Sequence, residues 1–352
     1  MLFSVYPTDA PEVRDAVLAQ ACALAPTPMI FTSLHLPENA DLEGFGAVLA
    51  DMHRERGITF CADISPLTIE RLGTSVNGAG FAGAGIEGVA RLRDWGITVL
   101  RIDFGFAPDQ IRAIAAASQC GIAVNASTAT ASLLDELEDL RPVGWHNFYP
   151  RPETGITPSF YVSQNELFAS RNLPVFAFLP GEVSFRAPLH QGVPTLEEHR
   201  YRTVWRNYLH LRALDPEVEI VCAEGTLRSE HVEWIAHHEQ TGEVSLPLIG
   251  VDPAARFLIG MSWRLRTEDA AASFRLEGTR GSETPSAVRN GDRRAAGSLQ
   301  MDLEGLGRYR GEIQLMRQDL PLTGLQAYVG EIAAPYRGLV EDLRPGDTVR
   351  FV

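Results

Sequence analysis

Acids, histidines and amides recur in this chain at the ends of short apolar runs. Asp63 closes such a run in CADIS and Asp103 closes one in LRIDFGF. Asn125 does so in VNAST, and His146, Asn147, Tyr149 and Arg151 follow one another in HNFYPR. Tyr6 follows the first run; Ser33, His35 and Glu38 follow the second; Glu182 follows the seventh; Glu224 follows the eighth. Two neighbouring carboxyl groups can divide the work of glycoside hydrolysis. One, raised in pKa by burial or by its neighbour, protonates the leaving oxygen, and the other serves as nucleophile or base. Asp63 and Asp103 are the expected pair, since adjacent strands can hold two carboxyls at the roughly 5 to 9.5 Å that this chemistry uses.

Metal catalysis is the natural competitor. Metal-dependent sites usually carry a His-x-His pair or clustered His and carboxylate ligands. His35 and His146 have no such partner nearby in sequence, and His237-His238 falls on a late helix. No metal or cofactor is therefore expected. Arg151, Arg186 and Arg200 lie in loops or helix starts beside these residues, where an arginine can clamp a phosphate bidentately. Arg151, which abuts HNFYP, is the first choice.

The elements that must position these groups follow from periodicity. Apolar runs at Leu2–Tyr6, Met29–Leu34, Thr59–Ile64, Thr98–Phe104, Ile122–Ala126, Gly144–Tyr149, Pro174–Leu179 and Glu219–Cys222 read as eight strands. Most are continuously apolar, as strands buried on both faces are. Between them lie segments of helical period with start signals. Asp9 stands before Pro11-Glu12 at a capping-box spacing, and Ser65-Pro66 and Ala107-Pro108 put proline in a first turn. Thr195-Leu-Glu-Glu reads as a further capping box, opening a helix with Tyr201, Val204, Trp205, Tyr208 and Leu211 on one face. A dinucleotide-binding open sheet would carry glycines after its first strand, but here that turn is YPTDAPE. The glycine-rich stretch Asn77–Gly88 follows a helix and reads as a loop. The expected fold is thus an α/β (β/α)8 TIM barrel over residues 1–242, with its site where the strands end. From 243 to 352 the chain turns to short alternating strands such as Ser298–Leu303 and Glu312–Met316, with one short helix near Pro335–Leu343, and reads as a small all-β domain.

Composition narrows the chemistry. All 31 basic residues are arginine, so Schiff-base aldolase, pyridoxal-phosphate and Walker-type chemistries, each of which needs a lysine, are excluded. A net charge of −14 with no basic stripe argues against nucleic acid as a partner. Cys22, Cys61, Cys120 and Cys222 are widely spaced, without a CxxC pair, and are expected as buried thiols. No run approaches the roughly 20 apolar residues of a membrane span, and the N-terminus does not resemble a signal peptide, so a cytoplasmic protein is expected.

The runs FSVYP, IFTSLHLPE, CADISP, LRIDFGF, VNAST, WHNFYPRPETG, GVPTLEEHR and GRYRGEIQ, in this order along nearly the whole chain, resemble the bacterial 6-phospho-N-acetylmuramidases. That resemblance implies a TIM barrel followed by a cyclophilin-like β domain. It also implies hydrolysis of N-acetylmuramic acid 6-phosphate–N-acetylglucosamine, a phosphorylated amino-sugar disaccharide of cell-wall recycling, as substrate. On this chain it implies Asp63 and Asp103 as catalytic residues, with Asn125, His146, Asn147 and Glu197 as substrate or supporting contacts. One departure stands at the last barrel strand, which ends CAEGT where the family carries Gly-Asp, placing Glu224 there. Two other readings stay open: a metal-assisted sugar-phosphate lyase or isomerase, and a non-catalytic carbohydrate-binding protein. Neither membrane nor nucleic acid is an expected partner, and a homodimer is compatible with the sequence.

Overall fold

The computed structural model describes the chain except residues 26, 36–40, 78–79, 84 and 286–290, and describes only the backbone of 74–77, 80–83, 85 and 86. Two compact units emerge, Met1–Arg228 and Ser229–Val352. In the first, eight parallel strands close into a barrel: β1 (Leu2–Ser4), β2 (Met29–Ser33), β3 (Thr59–Ile64), β4 (Ile97–Ile102), β5 (Gly121–Asn125), β6 (Val143–Trp145), β7 (Val175–Leu179) and β8 (Glu219–Cys222). Each pairs with its sequence neighbours, and β8 returns to β1 through Leu2–Val221 and Phe3–Cys222. Helices link them, among them α1 (Pro11–Leu24), α2 (Leu42–Arg56), α3 (Pro66–Arg71), α4 (Gly85–Asp94), α5 (Pro108–Ser118), α6 (Ala131–Glu136), α7 (Pro158–Ala169) and α8 (Val204–Leu214). This is the eightfold alternation read from the runs.

The barrel is filled, not hollow. Phe31 meets Phe178 at 5.0 Å and Trp145 at 5.4 Å between ring centroids, and Phe148 meets Phe178 at 5.2 Å. Such offset and edge contacts add to the area that these rings bury. Tyr6, Cys61, Ala123 and Val221 complete the layer. A polar layer lies above it, because Ser33, Asp63 and Arg101 stand opposite one another in register across β2, β3 and β4.

Several local expectations are corrected. The run expected as Gly144–Tyr149 leaves the ladder after Trp145, since Tyr149 N donates to Pro194 O in a loop and not to a strand neighbour. The run Thr98–Phe104 is strand only over Ile97–Ile102. Asp9 does not cap α1; the cap residue is Ala10, and Asp9 Oδ2 accepts from Tyr6 N at 2.7 Å. Thr195 opens no α-helix: its hydroxyl accepts from Phe178 N and donates to Asn147 O, so α8 begins only after Thr203, which caps it. Tyr201, expected on the buried face, is 78% exposed because it precedes that helix. Part of the glycine-rich stretch is a hairpin, Thr74–Asn77 antiparallel to Gly80–Gly83, because main-chain pairing needs no side chains.

Among the described residues, the second unit holds α9 (Ser229–Thr241) and eight short strands: β9 (Val244–Leu246), β10 (Leu248–Ile249), β11 (Ser262–Arg264), β12 (Ser273–Arg275), β13 (Ser298–Asp302), β14 (Ile313–Met316), β15 (Gln326–Ile332) and β16 (Thr348–Phe351). They form a three-stranded sheet ordered β9–β16–β11 and a five-stranded sheet ordered β10–β15–β13–β14–β12. Every residue of β13 is buried, so the half-exposed alternation expected there is absent. The short helix expected near Pro335–Leu343 is a 3-10 turn, Ala334–Tyr336, followed by the helical turn Leu339–Asp342. Among the described residues no helix is long and apolar enough to cross a membrane.

Candidate active site

At the carboxyl ends of β3 and β4 a buried arginine holds the polar layer together. Arg101, 2% exposed, donates from one nitrogen, Nη1, to Asp63 Oδ1 at 2.6 Å and to Asp103 Oδ1 at 3.0 Å. Its Nη2 donates to Asn147 Oδ1 at 2.5 Å and to His146 O at 3.4 Å, and its Nε donates to Trp145 O at 3.2 Å. The fork is used in full, as a buried guanidinium requires. Asn125 Nδ2 adds a second donor to Asp103 Oδ1 at 3.2 Å.

His35 closes the group from β2. Its Nδ1 lies 3.4 Å from Asp63 Oδ2 and 3.3 Å from Ser33 Oγ, and its Nε2 lies 4.0 Å from Asp103 Oδ2. One donor atom from each of His35, Asp63 and Asp103 fits within 4.8 Å. Such a set could hold a divalent ion by composition. The Arg101 charge, however, already stands between the two aspartates, so a metal ion would be forced against it. Asp63 is buried, which raises its carboxyl from the usual aspartate range; the Arg101 charge opposes this and the Asp103 charge adds to it. The Asp103 side chain is 18% exposed against 3% for Asp63, so Asp103 is the acid within reach of a ligand at the barrel mouth.

His146 is placed differently from His35. Asp215 Oδ2 accepts from Asn165 Nδ2 at 2.7 Å, which turns the amide oxygen of Asn165 toward His146 Nε2 at 2.8 Å. His146 therefore donates from Nε2. At Nδ1 it accepts from the Ser127 hydroxyl at 3.0 Å, which itself accepts from Asn147 N at 3.1 Å. Burial pushes the imidazole down to about 4, with the Asn165 bond opposing and the Arg101 charge adding to the fall. This is a neutral histidine that fixes the HNFYPR turn.

The remaining candidates divide by what they touch. Glu224 lies just past β8, with Oε2 accepting from Arg186 N at 2.5 Å and Oε1 from Val193 N at 3.0 Å. It thus ties together residues 186 and 193 of the segment after β7, while burial raises its carboxyl. Glu197 meets Arg200 bidentately at 2.6 and 2.7 Å and accepts from Glu153 N and Gly155 N, which hold its carboxyl down at about 2. Tyr6 is buried, its hydroxyl donating to Ala223 O at 2.7 Å. Tyr149 is half-buried, Arg151 exposed, and Glu38 lies outside the described residues. Ser33, His35, Asp63, Asp103, Asn125 and Asn147 are the predicted residues that come together around Arg101. Sequence reasoning missed Arg101, Ser127 and Asn165. The signal for Arg101 was available: a charged residue inside an otherwise apolar run, two positions before Asp103 and therefore on the same strand face.

Comparisons with known proteins agree along the length of the chain. Residues 3–237 match the family described as 6-phospho-N-acetylmuramidase, N-terminal, and residues 252–352 match that described as 6-phospho-N-acetylmuramidase, C-terminal. No curated protein sequence matches. Among solved structures, the chain is similar to a conserved Enterococcus faecalis protein of unknown function, with 27% identity, a TM-score of 0.79, and 100% of this chain and 96% of that one covered. It shares the fold of an uncharacterized B. cereus protein at 20% identity and a TM-score of 0.74, covering 100% and 98%. With both family segments matched in order, the chain belongs to the 6-phospho-N-acetylmuramidase family.

Proposed function

We propose that this protein is a glycoside hydrolase that cleaves the bond between N-acetylmuramic acid 6-phosphate and N-acetylglucosamine, in cell-wall recycling within the cytoplasm. The observation that carries the reading is the Arg101-bridged pair Asp63 and Asp103 at the ends of adjacent barrel strands. One carboxylate oxygen of each lies within 4.8 Å of one of the other. Such a close approach is nearer the roughly 5–5.5 Å carboxyl separation of retaining enzymes than the roughly 6.5–9.5 Å of inverting ones, and so favours retention. Asp103 acts as the anionic group, either attacking the anomeric carbon or orienting the substrate's own 2-acetamido group for that attack. Asp63 stands behind His35, and this pair supplies the proton to the leaving oxygen and withdraws one from water in the second step. Asn125 and Asn147 position Asp103 and Arg101, and the mouth aromatic Phe148 lies beside the same turn.

The test is hydrolysis of the muramyl disaccharide with and without its 6-phosphate. Cleavage of the phosphorylated form is expected, with Asp63→Asn and Asp103→Asn each lowering kcat by about 10³ while the fold persists. Absence of cleavage, or normal turnover in both variants, overturns the assignment.

A further inference from the structure

Three arginines sit near the barrel mouth, and their surroundings separate them. Arg200 has no free donor to give: its guanidinium is spent on both oxygens of Glu197 and on the carbonyls of Tyr149, Arg151, Gln191 and Gly192. Arg151 is exposed and uses its carbonyl, which accepts from Thr154 and Arg200. Arg186 differs from both. Its guanidinium carbon lies 4.4 Å above the Tyr6 ring and 5.4 Å from the Phe148 ring, and its buried Nε makes no hydrogen bond. Ring faces satisfy its charge in part but accept none of its N–H groups in line.

The backbone of this arginine is nevertheless fixed, since Arg186 N donates to the buried Glu224 carboxyl. The cavity beside it, about 160 Å³, is lined by Thr8, Asp9, Ser184, His190 and Gly225 from the loops after β1, β7 and β8. In barrels of this architecture the loops after strands 7 and 8 commonly form a phosphate site. The two acids at the cavity have oxygens already engaged: Asp9 accepts from Tyr6 N, and Glu224 accepts from Arg186 N and Val193 N. Burial raises both carboxyls, while these N–H groups and the Arg186 charge oppose the rise.

We infer that Arg186 is the specificity-determining residue of this mouth: its guanidinium fork binds the phosphate monoester of the sugar substrate. This rests on the phosphosugar reading proposed above and assigns its phosphate contact. Tyr6 and Phe148 aim the fork, and a monoester supplies the acceptor that its buried Nε lacks.

The experiment compares the full chain with Arg186→Gln, Arg186→Lys and Arg151→Gln. It measures kcat/KM on the muramyl disaccharide with and without its 6-phosphate, with circular dichroism as a check of folding. The readout is the ratio of the two constants, which a partial loss of folded enzyme scales equally. Arg186→Gln is expected to lower that ratio about 100-fold, and Arg186→Lys, which keeps the charge but loses the fork, by less. An unchanged ratio in Arg186→Gln, or a ratio that collapses in Arg151→Gln instead, overturns the inference. If the parent enzyme cleaves neither disaccharide, the hydrolase reading fails by itself. Calorimetric binding of N-acetylmuramic acid 6-phosphate then decides the present point: binding to the parent but not to Arg186→Gln supports it, and equal binding or none overturns it.

Discussion

Acidification should loosen the barrel in part through His146. In the folded chain its imidazole is buried, neutral and lowered to about 4, whereas an unfolded histidine titrates near 6.5. The folded pKa lies below the unfolded one, so protons bind the unfolded chain preferentially between the two values. The contribution is complete above the unfolded pKa and is lost as pH falls from about 6.5 toward 4. With 1.36 kcal/mol for each unit of pKa difference, the step from pH 7 to pH 5 removes about 2 kcal/mol and the step to pH 4 about 3. The perturbation is His146→Gln, which keeps an amide between Ser127 and Asn165 but does not titrate. Other acids with shifted carboxyls, such as Asp63 and Glu224, are present in both proteins and cancel in the comparison. The assay is hydrogen exchange of peptides spanning β5 and β6 along a urea series at pH 7 and pH 5. The parent should lose about 2 kcal/mol more than the variant over that interval. Equal losses in the two would refute the placement of His146 as a buried, neutral hinge of the HNFYPR turn.

Other outcomes follow from the same geometry. The first-formed product should keep the anomeric configuration of the substrate, as seen by NMR within the first turnovers; inversion would contradict the close pairing of Asp63 and Asp103. Arg101→Met should abolish turnover and lower stability by about 3–5 kcal/mol, because it leaves two aspartates in a buried layer without their cation; near-normal denaturation would refute the bridge. Glu197→Gln should speed proteolysis in the segment 151–155, whose amides the carboxylate holds. In the parent, this anchor is complete above the usual glutamate pKa and is lost as pH falls through about 2. Unchanged cleavage in the variant would show that other contacts fix the loop.

The fold was legible because strands buried on both faces leave an unbroken apolar record, and helix-opening prolines such as Pro66 and Pro108 punctuate it. Asp63 and Asp103 were legible as site candidates for a related reason: each breaks an apolar record at the end of its run. The roles of Glu197 and Glu224 were not. Each carboxylate is engaged by backbone N–H groups 31 to 44 residues away in sequence, and sequence spacing carries no trace of such partners. Thr195 misled for the opposite reason. Its spacing to Glu198 satisfies a local rule, but Phe178 N and Asn147 O, both distant in the chain, take its hydroxyl first. Arg101 was overlooked because it was read as part of an apolar run, when its charge was the one feature of that run in need of explanation.

A guanidinium built into β4 has a consequence for how this protein becomes competent. Arginine does not release its proton at any pH a cell experiences, and it is delivered with the chain itself. The cation that organises the acidic pair is thus in place when β4 zips against β3, and the pairing of these two strands and the assembly of the charges become one event. Assembly of this charge cluster then depends on the fidelity of strand pairing. A slip of register between these two strands would carry Arg101 past Asp63, turn it off the face it shares with the acids and disarm the centre.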